Sequence, residues 1–181
     1  MLRGSTLGIV ACLLGAVTLT SCTPAPRPTS TPTSTAIFAS EDEALAAATD
    51  VYQRYTAQFD KDSANGDGGA EAMVGLVTPA YLEKLEVPGL LEENNWHTQG
   101  VTTFDNVSLV EKSESDQLAL VRLRLCRDVS GVRILDSGGA DVTPATRLER
   151  FPVEVEFVSS APREASLLIA DSGSWTGDDF C

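Results

Sequence analysis

The sequence contains few of the residues from which nucleophilic and metal-dependent active sites are built. Among its 181 residues there is a single histidine, His97, and there are four cysteines. No Gly-x-Ser-x-Gly, His-Glu-x-x-His or phosphate-binding loop occurs. We expect His97, next to Trp96, to be a packed or surface residue rather than a general base. The sequence therefore identifies no catalytic residue, no metal site and no cofactor.

Positive charge is also scarce. The 26 acidic side chains outnumber the 13 basic ones, which gives a formal net charge of −13. Such a chain is repelled at long range by phosphate backbones and by anionic lipid head groups. We therefore expect no nucleic-acid partner, and we interpret the acidity as that of a solvated surface.

No apolar run is long enough to cross a bilayer. The longest, Leu7–Leu19, follows Arg3 and precedes a group of small residues, whereas a spanning helix needs about 20 apolar residues. This layout is typical of an export signal and predicts a signal peptide over residues 1–21. An ordinary secretory signal would have the same general form.

Leu19-Thr20-Ser21-Cys22 resembles the bacterial lipobox, the motif that directs lipidation of its cysteine. The resemblance implies that Cys22 receives a diacylglyceryl thioether and becomes the mature N-terminus. It implies a lipoprotein held by acyl chains such as palmitate at the extracytoplasmic face of the cell membrane, because two or more chains give stable anchoring.

The segment after Cys22 consists almost wholly of proline, threonine and serine up to Ala36. Such a composition cannot bury apolar surface and stays extended. We predict that residues 22–37 form the lipidated cysteine and a disordered tether. Fully extended, the tether would reach up to roughly 40 Å.

Two cysteines remain for the folded domain. Cys12 lies in the apolar run of the signal, and Cys22 is the predicted lipidation site. In an exported domain the remaining pair, Cys126 and Cys181, predicts one disulfide bond that pins the last strand to a central one. A two-cysteine metal site would need histidine or carboxylate partners, and the only histidine is distant in sequence.

Helical patterns occupy the first half of the domain. Ser40 and Glu43 form a capping box, after which apolar residues recur at helical spacing to about residue 60: Leu45, Ala48, Tyr52, Tyr55 and Phe59. We predict a short second helix over residues 70–77. A third helix begins at Thr78-Pro79, and residues 90–97 add one or two further turns.

The link after the first helix, Asn65-Gly66-Asp67-Gly68, resembles the middle of an EF-hand loop. Neither possible alignment supplies both the leading carboxylate and the other positions that calcium requires. Left-handed backbone angles between two helices explain the same residues, so no calcium site is predicted.

Strand-like alternation begins after Gly100. Five runs are predicted, over residues 101–112, 117–129, 131–136, 150–160 and 164–175, with a turn at 113–116. Phe151, Val153, Val155 and Phe157 share one face of the fourth run. The opposite face carries Glu154 and Glu156, and we predict that these face Arg122 and Arg124 of the second run.

Helices followed by an antiparallel meander predict an α+β domain over residues 38–181, with the helices packed on one face of a curved sheet. This order resembles the cone-shaped nuclear-transport-factor-two-like or cystatin-like architecture, shared with ketosteroid isomerases and many small bacterial lipoproteins. The resemblance implies a pocket between helix and sheet. The catalytic positions of the isomerases have no match here, and Tyr52, Tyr55 and Tyr81 are predicted to be core residues.

These observations predict a membrane-anchored envelope lipoprotein whose domain binds either an envelope protein partner or a small apolar ligand. One alternative is an isomerase- or dehydratase-like enzyme that uses pocket carboxylates and tyrosine. A second is a structural spacer without a ligand. A deep polar pocket would favour the enzyme, and an apolar patch or cavity would favour a binding domain.

Overall fold

The computed structural model of the chain describes residues 36–66 and 70–181. The predicted signal peptide, the predicted lipidation site at Cys22 and all but the last two residues of the predicted tether lie outside these ranges. Phe38, with which the predicted domain begins, is buried in the core. The backbone N–H of Ile37 donates to the Glu114 carboxylate at 3.0 Å. None of the helices in the described ranges is long and apolar enough to cross a membrane.

The first helix, α1, spans Glu41–Asn65 and begins as predicted. The Ser40 hydroxyl accepts a hydrogen bond from the Glu43 backbone N–H at 3.1 Å. The Glu43 carboxylate reaches one residue further back than a standard capping box and accepts from the Ala39 N–H at 2.7 Å. The helix ends where Gly66 adopts a left-handed φ of 71°, which glycine tolerates without strain.

One face of α1 packs on the sheet. Its buried apolar residues are Ala44, Ala48, Val51, Tyr52 and Tyr55. Ala44 and Ala48 are fully buried, and their small side chains let the helix lie close to the strands. Two residues of the predicted apolar face, Leu45 and Phe59, are only partly buried.

The predicted helix over residues 70–77 is wrong beyond its first turn. A 3-10 turn, Ala70–Met73, is followed by Gly75 at a φ of 84°, a left-handed angle that stops the helix. The chain then lies beside Ile169, whose N–H donates to Leu76 O at 2.9 Å and whose carbonyl accepts from the Thr78 N–H at 2.8 Å. The segment therefore covers a sheet edge that would otherwise be open.

Two short helices follow. The helix α2 spans Pro79–Leu85, and the Thr78 hydroxyl accepts from the backbone N–H of Tyr81 at 3.2 Å, which confirms the predicted cap. The helix α3 spans Leu90–Asn94 and is a single turn or slightly more. The chain turns into a strand three residues later, so the predicted helical region ends earlier than residue 97.

The α+β class is confirmed, with helices on one face of an open, antiparallel sheet. The sheet has the order β2-β3-β5-β6, formed by Thr103–Ser115, Leu118–Asp128, Arg150–Ser159 and Leu167–Ser174. Two short strands, β1 at His97–Gln99 and β4 at Arg133–Leu135, pair in a sheet of their own. The third predicted run, residues 131–136, therefore does not join the main sheet. The five predicted runs do not form one simple meander.

The turn between β2 and β3 lies later than predicted. Strand β2 continues through Ser115, and the turn consists of Asp116 and Gln117, with φ angles of 52° and 68°. Positive φ at both positions is the geometry of a tight two-residue hairpin, which matches the twist of the strands. The sequence 113–116 is polar enough to suggest a turn, but three of its four residues belong to the strand.

The predicted alternation in β3 and β5 is confirmed. On the face toward α1, six side chains are almost completely buried: Val121, Leu123, Leu125, Val153, Val155 and Phe157. Burying a side chain of this size stabilises the fold by about 1.5–3 kcal/mol. The opposite, outer face of the same strands carries the charged residues.

The predicted charge pairs form on this outer face. Arg122 lies opposite Glu156, and Arg124 lies opposite Glu154, with N–O distances of 2.8 and 2.9 Å. Glu111 of β2 adds a second carboxylate to Arg122 at 2.7 Å, and these acids raise the pKa of the Arg122 guanidinium. Each such partly exposed pair contributes up to about 1 kcal/mol.

The structure places Cys126 and Cys181 at disulfide distance, as predicted, with their Cα atoms 5.5 Å apart. Arg150 reinforces the attachment, because its guanidinium binds both oxygens of Asp105 at 2.6 and 2.9 Å and donates to the Cys181 carbonyl at 3.2 Å. Asn106 donates to the carbonyl of Phe180 at 3.2 Å. The segment after β6 is thus held to both β2 and β3.

Replacing Cys181 by serine should lower the free energy of unfolding by about 4 kcal/mol, because a long loop regains its entropy in the unfolded chain. Urea denaturation followed by circular dichroism measures this loss. The wild type in dithiothreitol is the control and should unfold at the same urea concentration as the variant. Equal midpoints for the oxidised and reduced wild type would contradict the prediction.

Candidate functional site

A cleft of about 330 Å³ lies where the last turns of α1 meet the end of the sheet. We call it the groove. Its apolar walls come from elements far apart in sequence: Phe59, Leu90, Leu91, Val132, Ile134 and Phe151. At its rim, Leu148 is 72% exposed and Leu90 is 58% exposed. Large apolar side chains this exposed beside a cleft are characteristic of binding surfaces.

The small sheet of β1 and β4 forms one wall, and a close backbone approach holds it in place. Gly100 has a φ of 125°, and a Cβ at this position would overlap the carbonyl oxygen of Gly131. Only glycine allows the turn after β1 to pack so closely against the turn before β4. The wall therefore depends on a glycine, Gly100, that lies outside the groove itself.

A second contact joins α1 to the beginning of β2. The Asp60 carboxylate accepts hydrogen bonds from the backbone N–H of Thr102 at 2.7 Å and from its hydroxyl at 2.6 Å. Thr102 is buried, so its N–H would lack water if Asp60 were removed. Asp60 lines the groove, but both of its oxygens are already occupied.

Arg127 lies at the inner end of the groove. It occupies an inward position of β3, in register between Phe104 of β2 and Phe151 of β5. Its guanidinium carbon is 5.5 Å from the centre of the Phe59 ring, within the range of a cation–π contact. Its Nε is buried and has no hydrogen-bond partner in the described part of the chain.

Arg147 supports the groove from the loop before β5. One terminal nitrogen donates to the carbonyls of Val129 and Val132 at 2.9 and 2.8 Å. These bonds fix the loop between β3 and β4 against the groove. The Nε of Arg147, like that of Arg127, is buried without a partner among the described residues.

The two groove arginines differ from most others in their surroundings. Five arginines of the described ranges pair with carboxylates: Arg54, Arg122, Arg124, Arg133 and Arg150. Within those ranges, Arg127 and Arg147 have no carboxylate closer than 4.0 Å. Two arginines without a carboxylate partner in the described ranges therefore line an apolar cleft, in a chain of net charge −13.

The three helical tyrosines lie in the core, as predicted. Tyr52, Tyr55 and Tyr81 are buried and do not line the groove. The hydroxyl of Tyr81 donates to the carbonyl of Ser172 at 3.4 Å, and burial raises its pKa. Burial also raises the pKa of Tyr52 to about 12, although the charge of Arg127 acts in the opposite direction.

His97 and the acidic residues form no centre of their own. His97 lies on β1 opposite Leu135 and does not line the groove. Within residues 36–66 and 70–181, no three histidine, cysteine or acidic side chains are grouped closely enough to hold a metal ion. The chemistry that the groove offers is therefore apolar contact combined with guanidinium donors.

Sequence reasoning missed both groove arginines. Arg127 continues the two-residue period of the buried positions Val121, Leu123 and Leu125, so it was predictable as an inward charge. Arg147 lies in a loop, and its role depends on backbone carbonyls brought close by the fold. No periodic signal marks such a residue.

Comparisons with known proteins do not assign the chain to a family. No protein-family description matches it, and no curated protein matches its sequence. Functional inference therefore depends on the geometry of the groove and on the motifs in the sequence.

Replacing Tyr52 by phenylalanine should raise the free energy of unfolding by about 1 kcal/mol at neutral pH. The Tyr52 hydroxyl is buried without a partner in the described part of the chain, and an unsatisfied polar group costs roughly 1–3 kcal/mol. Its raised pKa gives a stability contribution that is present below pH 10 and lost as the pH rises toward about 12. The advantage of the variant should therefore grow in that range.

Urea denaturation between neutral pH and about pH 12 measures this difference. At neutral pH Tyr81→Phe is the matched control, since its hydroxyl has an acceptor in Ser172 and its removal should not stabilise the protein at that pH. A Tyr52→Phe variant destabilised as much as Tyr81→Phe would refute the expectation.

Proposed function

We propose that the protein is an envelope lipoprotein, anchored through Cys22 at the extracytoplasmic face of the cell membrane, whose domain binds a small apolar ligand in the groove. The observation that carries the binding role is the groove itself, an apolar cleft with a few polar groups. Ligand sites typically have volumes of about 300–1,000 Å³ and a mostly apolar lining with a few polar groups.

Two further observations support export and anchoring. The lipobox-like sequence Leu19-Thr20-Ser21-Cys22 follows an apolar run of signal-peptide length. The disulfide between Cys126 and Cys181 is a type of bond that persists mainly in oxidising compartments outside the cytoplasm. Both observations are consistent with a domain that works at the outer surface of the membrane.

The concave shape of the groove favours a small ligand over a protein partner. Protein interfaces are commonly broad, with a polar rim around an apolar centre, whereas the groove is a cleft lined on several sides. The resemblance of the element order to the nuclear-transport-factor-two-like architecture also supports a pocket between helix and sheet. The groove, between the last turns of α1 and the end of the sheet, is consistent with such a pocket.

If Cys22 is lipidated, the protein should be recovered with membranes. It should also incorporate an alkyne analogue of palmitate when its host is grown with this label. Cys22→Ser should abolish the labelling, because the thioether has no other sulfur at the motif. Cys12→Ser removes a cysteine from the apolar run instead and is the matched control, which should stay labelled. Equal labelling of the Cys22→Ser protein would rule out this attachment site.

If the groove binds apolar ligands, the neutral, apolar dye N-phenyl-1-naphthylamine should fluoresce more strongly with the protein than in buffer alone. The measurement uses the purified full chain carrying Cys22→Ser, without detergent. Adding Ile134→Trp should fill the groove and weaken dye binding at least about tenfold, since the dye would have to displace a bulky side chain.

Val110→Trp is the matched control, since Val110 is an exposed apolar residue outside the groove. This variant should bind the dye as the parent chain does. Undiminished dye binding by the Ile134→Trp protein, with an unchanged circular dichroism spectrum, would show that the groove is not the binding site.

A further inference from the structure

We propose that the ligand of the groove is an amphiphile with a single alkyl chain and an anionic head, a carboxylate or a phosphate, and that Arg127 and Arg147 bind this head. This inference rests on the proposed function, because it names the ligand class of the same groove. It concerns the Nε–H donors of the two arginines, which an apolar ligand would leave without an acceptor.

The first reason is the pair of unsatisfied donors. The Nε atoms of Arg127 and Arg147 are buried and make no hydrogen bond within residues 36–66 and 70–181. A buried donor without an acceptor is costly, and the cost is larger for a charged group. An anionic oxygen is the acceptor that compensates both the missing hydrogen bond and the charge.

The second reason is the fixed position of both guanidinium groups. Arg147 is held by two backbone carbonyls, at 2.9 and 2.8 Å, and Arg127 lies over the ring of Phe59. Each guanidinium has five N–H donors, so several remain free on both. Donors that are already oriented lose little entropy when they bind an anion.

The third reason is the combination of size and charge. A volume of about 330 Å³ is near the lower end of the range for ligand sites, which suits one alkyl chain better than two. Asp60 is the acidic side chain among the lining residues, and Thr102 occupies both of its oxygens. Two arginines against one engaged carboxylate leave the groove with an excess of positive charge.

Competition with N-phenyl-1-naphthylamine on the full chain carrying Cys22→Ser tests the inference. Dodecanoate and dodecyl phosphate carry the two candidate heads, and dodecanol has the same chain without a charge. At least one of the anions should displace the dye at about tenfold lower concentration than dodecanol, because charge-assisted hydrogen bonds add to the chain contacts. The anion that displaces the dye at the lower concentration identifies the head group.

Equal displacement by the alcohol and both anions would overturn the inference and leave the proposed apolar binding intact. Displacement by dodecanol alone would also overturn it. Absence of dye binding to the parent chain would instead refute the proposed function itself, so the two failures are distinguishable.

Substitution of the arginines supplies the second test. Arg127→Met should reduce the preference for the anion over dodecanol by about tenfold or more, with both ligands measured on the same variant. Arg127→Lys should recover part of the preference, since it restores the charge without the planar donors. The inference would be overturned if both the single variant Arg127→Met and the double variant Arg127→Met/Arg147→Met kept the full preference for the anion over dodecanol.

Arg163→Met is the matched control, because Arg163 is an exposed arginine without a carboxylate within 4.0 Å in the described ranges. It lies beside Gln117 at the far end of β3, roughly 30 Å from Arg127 at the rise of a strand. The Arg163→Met substitution should leave the preference for the anion over dodecanol unchanged. Since Arg147 also holds a loop, an unchanged circular dichroism spectrum serves as the check that each variant is folded.

Discussion

Packing of the apolar face of α1 against the inner face of the main sheet is the interaction on which the rest of the structure depends. Ala44 and Ala48 are fully buried in the same core as Leu123 and Val155, and their small side chains let the helix lie close to the sheet. Once this contact fixes which side of the sheet is covered, strand alternation sends the charged residues to the outer face. The groove forms where the helix continues beyond the covered part of the sheet, so Phe59 becomes a wall rather than a core residue.

The elements with strong periodicity could be predicted from the sequence, and the pairings between distant segments could not. The cap at Ser40, the inward face of β5 and the pairing of Arg124 with Glu154 follow from local spacing. The attachment of residues 74–77 to β6 and the pairing of β1 with β4 depend on contacts between segments far apart in the chain. Short segments of this kind carry too few residues for a period to be recognised.

The candidate site likewise contains one residue that local spacing predicts and one that depends on contacts between distant segments. Arg127 carried a readable signal, an arginine at a position where β3 otherwise buries valine and leucine, and such breaks of a local rule are expected at functional positions. Arg147 had no such signal, because the carbonyls that it binds belong to a loop whose close approach to the turn after β1 depends on Gly100. The disulfide, in contrast, followed from counting the cysteines left after the signal and lipidation motifs, and the structure places this pair at bonding distance.

The central claim is that an amphiphile lies in the groove with its head at the two arginines. Nuclear Overhauser effects between ¹³C-labelled dodecanoate and the full chain carrying Cys22→Ser would test this most directly. We expect contacts from the terminal methyl and the middle of the alkyl chain to Phe59, Leu148 and Ile134, and a shift of the Nε–H signals of Arg127 and Arg147 on binding. Contacts confined to the outer face around Arg122 and Arg124, with the signals of Arg127 and Arg147 unmoved, would contradict the claim.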